Sequence, residues 1–535
     1  MFKYTSYFPY KKTRKEQEKA IEFALDAFIN KNKKFVIIEA GTGVGKSAIG
    51  YTIARYLLDH QNVSSGYTSA AYYLTTQKIL QAQYMNDFSP SGMLSLKSSS
   101  NYRCQYYKTK TCQEARRELK ASQDEKFKAC CGGGCHYVKE KNRFINGYHG
   151  VTNFPYFMTE INHSGHLPPR QITVIDECHN VELEMSKFVE VVVTEHFSKA
   201  ILKIQMPQLK TQFQVANWIK KTYMPKLSAM RTKMANMLEQ QGIKNRLSDF
   251  ISLERKWSMI ESHHSKLSRF LELYDKDNWV MNIATTDKRK GRRFEFKPID
   301  IAPYCSQYLF DKSEHCLLMS ATVMNREAFC RILGITPEDA EFISIPSPFP
   351  VSNRPIIVSP IAKMGKKDID QGLPKMAAAV QAIMEEHSNE KGIIHCHSYK
   401  IARYLKENIN SRRLLIHDST NRDKILFKHC NDSRPTILLS PSMSEGVDLK
   451  GDASRFQIIC KIPYPYLGDK LVSKRMNKWK WWYPLQTAKT IVQSVGRSVR
   501  SSNDHAVTYI LDAGWNYFWS KNKNIFPPDF NNCLK

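Results

Sequence analysis

Apolar and polar positions along the chain form two blocks of short buried strands, separated by a stretch of different character. Residues 35–40, Phe-Val-Ile-Ile-Glu-Ala, are a near-continuous apolar run, the pattern of a strand covered on both faces. Ser47–His60 follows with helical spacing. Further buried strands are predicted at Ile172–Ile175 and Cys316–Met319. After a proline-marked linker at Ile345–Pro355 they resume at Gly392–His395, Thr436–Leu439, Phe456–Cys460 and Val507–Leu511. Strands alternating with helices predict an α/β fold with two doubly wound parallel sheets. Residues 196–300 are rich in Lys, Gln, Met and Leu, poor in Gly and mostly helical in period, so a helical insertion is expected there.

Charge changes this picture. The 535 residues carry 79 basic and 51 acidic side chains, a formal net charge of +28, which points to a polyanionic partner. The basic clusters are spread: Lys11–Lys15, Lys31–Lys34, Lys288–Arg293, Lys363–Lys367 and Lys474–Lys480. No apolar run approaches the roughly 18–20 residues of a membrane span. Met1–Thr5 lacks the apolar stretch of a secretory signal. A protein that stays inside the cell is expected, in the cytoplasm or wherever its polyanionic partner lies, with no membrane partner. Five of the 13 cysteines fall between Cys104 and Cys135, a clustering that argues for a metal site over a disulfide scaffold.

The clearest chemistry lies at Ala40-Gly41-Thr42-Gly43-Val44-Gly45-Lys46-Ser47, between a buried strand and a helix, the setting of a phosphate cradle. The glycines let backbone N–H groups close around the phosphates of ATP. Lys46 can neutralise the β- and γ-phosphates, and the Ser47 hydroxyl can hold Mg²⁺. Ala40 stands where the strict pattern has Gly. Asp176-Glu177-Cys178-His179 follows the Ile172–Ile175 strand. There Asp176 can hold Mg²⁺, and Glu177 can polarise the attacking water as general base. Adjacent carboxylates are usually plain surface charge; behind a buried strand and paired with a phosphate loop they mean more. The Gln17 amide could read the adenine edge. Gln493-Ser494-Val495-Gly496-Arg497-Ser498-Val499-Arg500 sets Arg497 and Arg500 on one helix face. They are either arginine fingers or an ordinary basic helix end, and the phosphate loop tips the balance to the former.

In this order the pieces resemble the superfamily-two helicases, and within them the iron–sulfur XPD/DinG family. The matching segments are Gln17, Glu39–Ser47, Thr75–Lys78 with Gln81 and Gln83, Asn101–Cys104, Cys135–Tyr137, Val151–Asn153, Asp176–His179, Ser320–Thr322, His395–Tyr399, Ser444–Asp448 and Gln493–Arg500. The resemblance implies two RecA-like motor domains with ATP in the cleft between them. Residues 1–100, 148–195 and 301–345 would form the first, and 346–535 the second. Residues 101–147 would be an iron–sulfur domain and 196–300 an arch, together forming a pore for single strand. Ser320 and Thr322 would couple hydrolysis to domain movement, with Gln493 among the catalytic residues. Glu445, Gly446 and Asp448 would lie beside ATP and nucleic acid, and Thr76 and Ser398 would touch the nucleic-acid backbone. The expected activity is an ATP-dependent DNA helicase moving 5′→3′ on single-stranded and forked DNA, a monomeric motor with partners in replication or repair. The alternatives are an RNA helicase, a translocase that does not unwind, or a DNA-bridging subunit with weak ATPase.

Among Cys104, Cys112, Cys130, Cys131 and Cys135, four thiolates can hold a [4Fe–4S] cluster or a zinc ion. Spacing does not choose between these and plain buried or free cysteines with no metal; the resemblance favours iron. Adjacent thiolates are hard to aim at one cluster, so one of Cys130 and Cys131 is the spare. A cluster would stiffen a segment too short to build its own core. Lys474–Tyr483 mixes rings and charge. It offers either base stacking and phosphate contact or rings packed inside with wet lysines. Lys288–Arg293 offers a phosphate-binding loop or a basic hairpin tip.

Overall fold

The computed structural model describes the chain except residues 1, 77, 117–134, 165–166, 241–246, 286–290, 419, 442–448, 450, 500 and 502. The first block contributes β1 (Phe35–Ala40), β2 (Thr68–Thr75), β3 (Met93–Leu96), β4 (His149–Asn153) and β5 (Arg170–Asp176). A separate group follows: β6 (Val191–Thr194), β7 (Trp279–Thr285) and β8 (Arg292–Pro298). The chain then returns with β9 (Ser313–Ser320) and β10 (Ala340–Ile345). β1 to β5, β9 and β10 make one parallel sheet in the order β10-β1-β9-β5-β2-β4-β3.

Alternation along β1 divides the core. Val36 and Ile38 face the helices Lys15–Leu25 and Lys46–His60, while Phe35 and Ile37 join the core on the opposite face. Each such fully buried apolar side chain contributes about 1.5–3 kcal/mol. The Lys46–His60 helix lies close to the sheet: a Cβ on Gly50 would stand 2.7 Å from Met319 Cε and 2.8 Å from Val174 Cγ1.

Beyond the linker, β11 (Ile356–Ala362), β12 (Gly392–His395), β13 (Leu414–Ile416), β14 (Ile437–Ser440), β15 (Phe456–Ile459) and β16 (Val507–Asp512) form a second parallel sheet, ordered β11-β16-β15-β12-β14-β13. The α/β class and the two sheets are as expected. The strands left unread, such as β2 and β13, are Ala- and Tyr-rich or only three residues long.

The insertion differs from the expectation of a helical unit. It contains the helices Met224–Gln240 and Leu247–Leu273, but β8 pairs antiparallel with both β6 and β7. The β7–β8 pair alternates buried and exposed positions at its ends, a period of two that a whole-segment reading averages away. Lys288–Arg293 spans the β7–β8 connection; residues 288–290 lie outside the described part, and Arg292 and Arg293 belong to β8. Arg292 donates to Gln208 Oε1 at 2.7 Å and to the Met206 carbonyl at 3.1 Å, so this arginine braces the insertion itself.

Candidate active site

The sheet order brings the sequence motifs together. β9 lies between β1 and β5, and all three point their C-terminal ends the same way. The phosphate loop, Ser320-Ala321-Thr322 and Asp176-Glu177 therefore emerge side by side, at the edge where parallel sheets bind ligands. In the loop, Gly43 and Gly45 have φ of +87° and +88°, which L side chains rarely adopt. The loop's N–H groups open onto the N-terminus of the 15-residue Lys46–His60 helix, a ready anion site. Lys46 Nζ rests 3.2 Å from the Ala40 carbonyl.

Asp176 is the last residue of β5, one position beyond the strand end read from the sequence. Its Oδ2 accepts from Tyr84 Oη at 3.3 Å, and its Oδ1 from the Glu177 N–H at 2.9 Å. Burial, then the adjacent Glu177 charge, raises its carboxyl above the usual range. Glu177 has φ +53°, a left-handed conformation that a non-glycine residue holds only where its surroundings enforce it. Burial opposes its charge, but His179, Lys46 and Arg497 outweigh burial and keep it ionised. The His179 Nδ1 stands 3.3 Å from Glu177 Oε2 and 2.7 Å from Ser320 Oγ.

The second domain faces these groups across a cleft of about 870 Å³. Its walls include Gly41, Thr42, Glu177, Gln493 and Arg497. Gln493 donates to Thr322 Oγ1 at 3.2 Å. Arg497 thus lines the same cleft as the phosphate loop, but it sits in the turn after the helix Trp482–Val495 and not on a helix face as the spacing predicted, because the helix stops at Gly496. Thr76 lines this cleft too, and Ser398 precedes the helix Tyr399–Asn408. Arg500, Glu445, Gly446 and Asp448 lie outside the described residues.

One expectation changes, and one open alternative is decided. The Gln17 amide is spent on the protein: Nε2 donates to the Val44 carbonyl at 2.9 Å, and Oε1 accepts from Arg14 N at 3.0 Å. It props the phosphate loop from beneath, because the helix Lys15–Leu25 starts under that loop. The Lys474–Tyr483 segment turns its key groups inward. Trp482 and Arg475 are buried, Arg475 pairs with Glu182 at 2.6 Å, and Trp479 lies under Arg331.

Other residues of the site gave no usable signal in the sequence. Phe349, in the linker, packs on the phosphate loop; a Cβ at Gly43 would stand 1.9 Å from its ring. Ser347 Oγ donates to the Thr42 carbonyl at 2.9 Å. Arg354 forms a two-pronged pair with Asp529, at 2.6 and 2.9 Å. Only a linker resemblance or a C-terminal carboxylate count could have hinted at these contacts.

The cysteine segment sits on the far side of the first sheet. Cys104, Cys112 and Cys135 are all buried in the first domain's core. Cys112 Sγ and Cys135 Sγ are 3.9 Å apart, so these two thiols face each other. Among the described residues no three His, Cys, Asp or Glu side chains are close enough to hold a metal. Cys130 and Cys131 lie outside the described residues. Among those residues, too, no helix is long and apolar enough to cross a membrane.

Comparison with known proteins agrees with this geometry. Residues 381–529 match the helicase C-terminal domain family, and residues 10–206 match the type III restriction enzyme res subunit family. The ATP-dependent DNA helicase DinG of Photobacterium profundum is 27% identical over 287 residues, 49% of this chain and 40% of that protein. The ATP-dependent DNA helicase YoaA of Escherichia coli is 25% identical over 229 residues, 40% of this chain and 35% of that protein. These matches span well under half the length of either relative. Among solved structures, an XPD helicase superposes with a TM-score of 0.62 at 17% identity, covering 98% of this chain and 100% of that one. Xpd4 of S. tokodaii gives 0.59 at 12% identity, covering 98% and 99%.

Proposed function

We propose that this chain, an XPD/DinG-like superfamily-two helicase in its domains and fold, is an ATP-dependent DNA helicase that moves 5′→3′ on single-stranded DNA and opens duplex ahead of it. One observation carries the reading: the phosphate loop and Glu177, which follows Asp176 at the end of β5, face Arg497 of the other domain across one cleft. A nucleotide there is completed only when both domains are in place, so its hydrolysis moves one against the other.

The roles follow from chemistry. The loop N–H groups of Thr42, Gly43 and Gly45 bind the phosphates, the Gly41 N–H tethers the loop to the Ile345 carbonyl at 3.1 Å, and Lys46 balances the phosphate charge. Ser47 and Asp176 would hold Mg²⁺, which supplies charge neutralisation at the β- and γ-phosphates. Glu177, ionised and beside His179, takes the proton of the attacking water. Arg497, with Arg500, stabilises charge on the transferring phosphoryl group. Domain boundaries at 1–100 with 148–195 and 301–345, at 101–147, at 196–300 and at 346–535 suit these assignments. Cys104, Cys112, Cys135 and one of Cys130 and Cys131 would hold a [4Fe–4S] cluster, a reading supported by the burial of the three described thiols in one core. Single-stranded and forked DNA would be the partner of the excess basic charge, and the motor would act as a monomer in replication or repair.

The test compares the parent with Lys46→Ala on duplexes carrying a 5′ or a 3′ single-stranded tail. Strand separation with ATP on the 5′-tailed substrate, absent in Lys46→Ala, is expected. Separation in Lys46→Ala equal to the parent would end the motor reading, and preference for the 3′ tail would reverse the polarity.

A further inference from the structure

The helix Trp482–Val495 ends at the proposed arginine finger, and one stripe of it touches the first domain along its whole length. Residues 482, 486, 489 and 493 recur at intervals of four, three and four, so they share a face. Trp482 Nε1 and Gln486 Nε2 both donate to the Glu182 carboxylate at 3.3 Å. Lys489 Nζ donates to the His179 carbonyl at 2.8 Å, and Gln493 reaches Thr322 at 3.2 Å. Glu182 lies in the first turn of the helix Val181–Val189, directly after Asp176–Asn180.

The two ends of this stripe differ in strength. Toward the Gln493 end, the bonds of Lys489 to the His179 carbonyl and of Gln493 to the Thr322 hydroxyl reach neutral acceptors on the first domain. At the Trp482 end, Glu182 also accepts from Arg475 NH1 at 2.6 Å, and the two side chains are 14% and 8% exposed. Arg475 in turn donates from Nε to the Ile299 carbonyl at 2.8 Å and from NH2 to the Pro298 carbonyl at 3.4 Å, at the root of the insertion. The Trp482 ring is buried in the first domain's own core. Charge-assisted bonds in a dry setting are the strong ones, so this end holds while the other can move.

We propose that Glu182 and Arg475 form the anchor of a lever: they fix the Trp482 end of the helix to the first domain and to the insertion's root while the Arg497 end swings with the nucleotide. The 14-residue helix is about 21 Å long at 1.5 Å per residue. A small displacement at the phosphates is therefore referred to a fixed point next to Asp176–His179, and through Arg475 to the insertion. Glu182 and Arg475 are positioning residues that convert hydrolysis into strand movement, and neither touches the nucleotide. This inference rests on the motor reading above.

The test uses the full chain with Glu182→Gln and Arg475→Gln, singly and together, and reads ATP hydrolysis, melting temperature and base pairs opened per ATP. Each single variant keeps DNA-stimulated hydrolysis within about twofold while base pairs opened per ATP fall roughly tenfold, and the double variant is no worse than the worse single. Unchanged coupling overturns the anchor. So does a parallel fall of hydrolysis, unwinding and melting temperature, the mark of a mere brace. If a pair variant does not fold, Gln486→Leu, which removes one donor and leaves the ion pair, decides the matter: roughly a twofold to threefold loss of coupling supports the anchor, and none overturns it. A parent with no DNA-stimulated hydrolysis sinks the motor reading and this role together, whereas an active parent with fully coupled variants sinks this role alone.

Discussion

His179 Nδ1 lies 2.7 Å from Ser320 Oγ, which ties the turn after β5 to the end of β9. The same Ser320 hydroxyl accepts the Thr322 N–H at 3.1 Å, and the Thr322 hydroxyl accepts from Gln493. A continuous hydrogen-bonded path thus runs from the residue beside Glu177 to the second domain. Removing one link should weaken communication more than chemistry. Ser320→Ala is expected to hydrolyse ATP within a fewfold of the parent but to unwind roughly tenfold less per ATP. Side-by-side hydrolysis and strand-separation rates check this; equal losses in both would contradict it.

Gly43 carries a second expectation. Its φ is +87°, and the Phe349 ring occupies the place of a Cβ. Gly43→Ala meets both backbone strain and a clash, together costing about 1–3 kcal/mol, so ATP affinity falls by roughly fivefold to a hundredfold. Adding Phe349→Ala removes the clash and leaves the strain, and part of the affinity returns. Titration with a fluorescent ATP analogue measures both; full recovery in the double variant would show that the backbone term is negligible.

The cysteines predict a colour. Protein purified without oxygen should be brown and hold about four irons per chain. Cys112→Ser, which breaks the pair at 3.9 Å, should lose the iron and the strand separation. A colourless parent that binds zinc would refute the iron assignment.

Buried histidines predict acid lability. His149 is held neutral by burial, then by Arg55 and Arg170, which push its pKa down to about 4. Its Nδ1 lies 3.2 Å from Tyr73 Oη, inside the same buried cluster. Unfolded, the same imidazole titrates near 6.5, so below that pH the unfolded chain binds more protons than the folded one. Stability is therefore present above pH 6.5 and falls toward pH 4, by at most roughly 1.4 kcal/mol per unit for this residue. Urea midpoints measured across this range should fall less steeply in His149→Gln. An unchanged slope would remove His149 from the account.

The motifs that read clearly share one property: they are local. A strand, a turn of glycines and a helix sit in one continuous segment, so Ala40–Ser47 announces itself without any knowledge of the fold. Asp176 and Glu177 likewise stand at the end of a visible buried run. The Gln17 amide misled because a side chain's partner is a matter of space: nothing in Arg14-Lys15-Glu16-Gln17 says that Val44 lies above it. The Trp479–Tyr483 rings were ambiguous for the same reason. An aromatic beside lysines reads alike whether it meets a base or, as Trp482 does, the core of another domain.

By itself the sequence determined the two parallel-sheet blocks, the phosphate loop and the acidic strand end, because hydrophobic period and glycine placement are written along the chain. The tertiary structure alone decided that these motifs share one cleft, since the position of β9 between β1 and β5 joins segments about 280 residues apart. It alone supplied Phe349 to the phosphate loop, the Arg354–Asp529 pair and the Glu182–Arg475 anchor. Each is a contact between residues distant in sequence, formed by the folding of both partners, and no local propensity of either one foretells it.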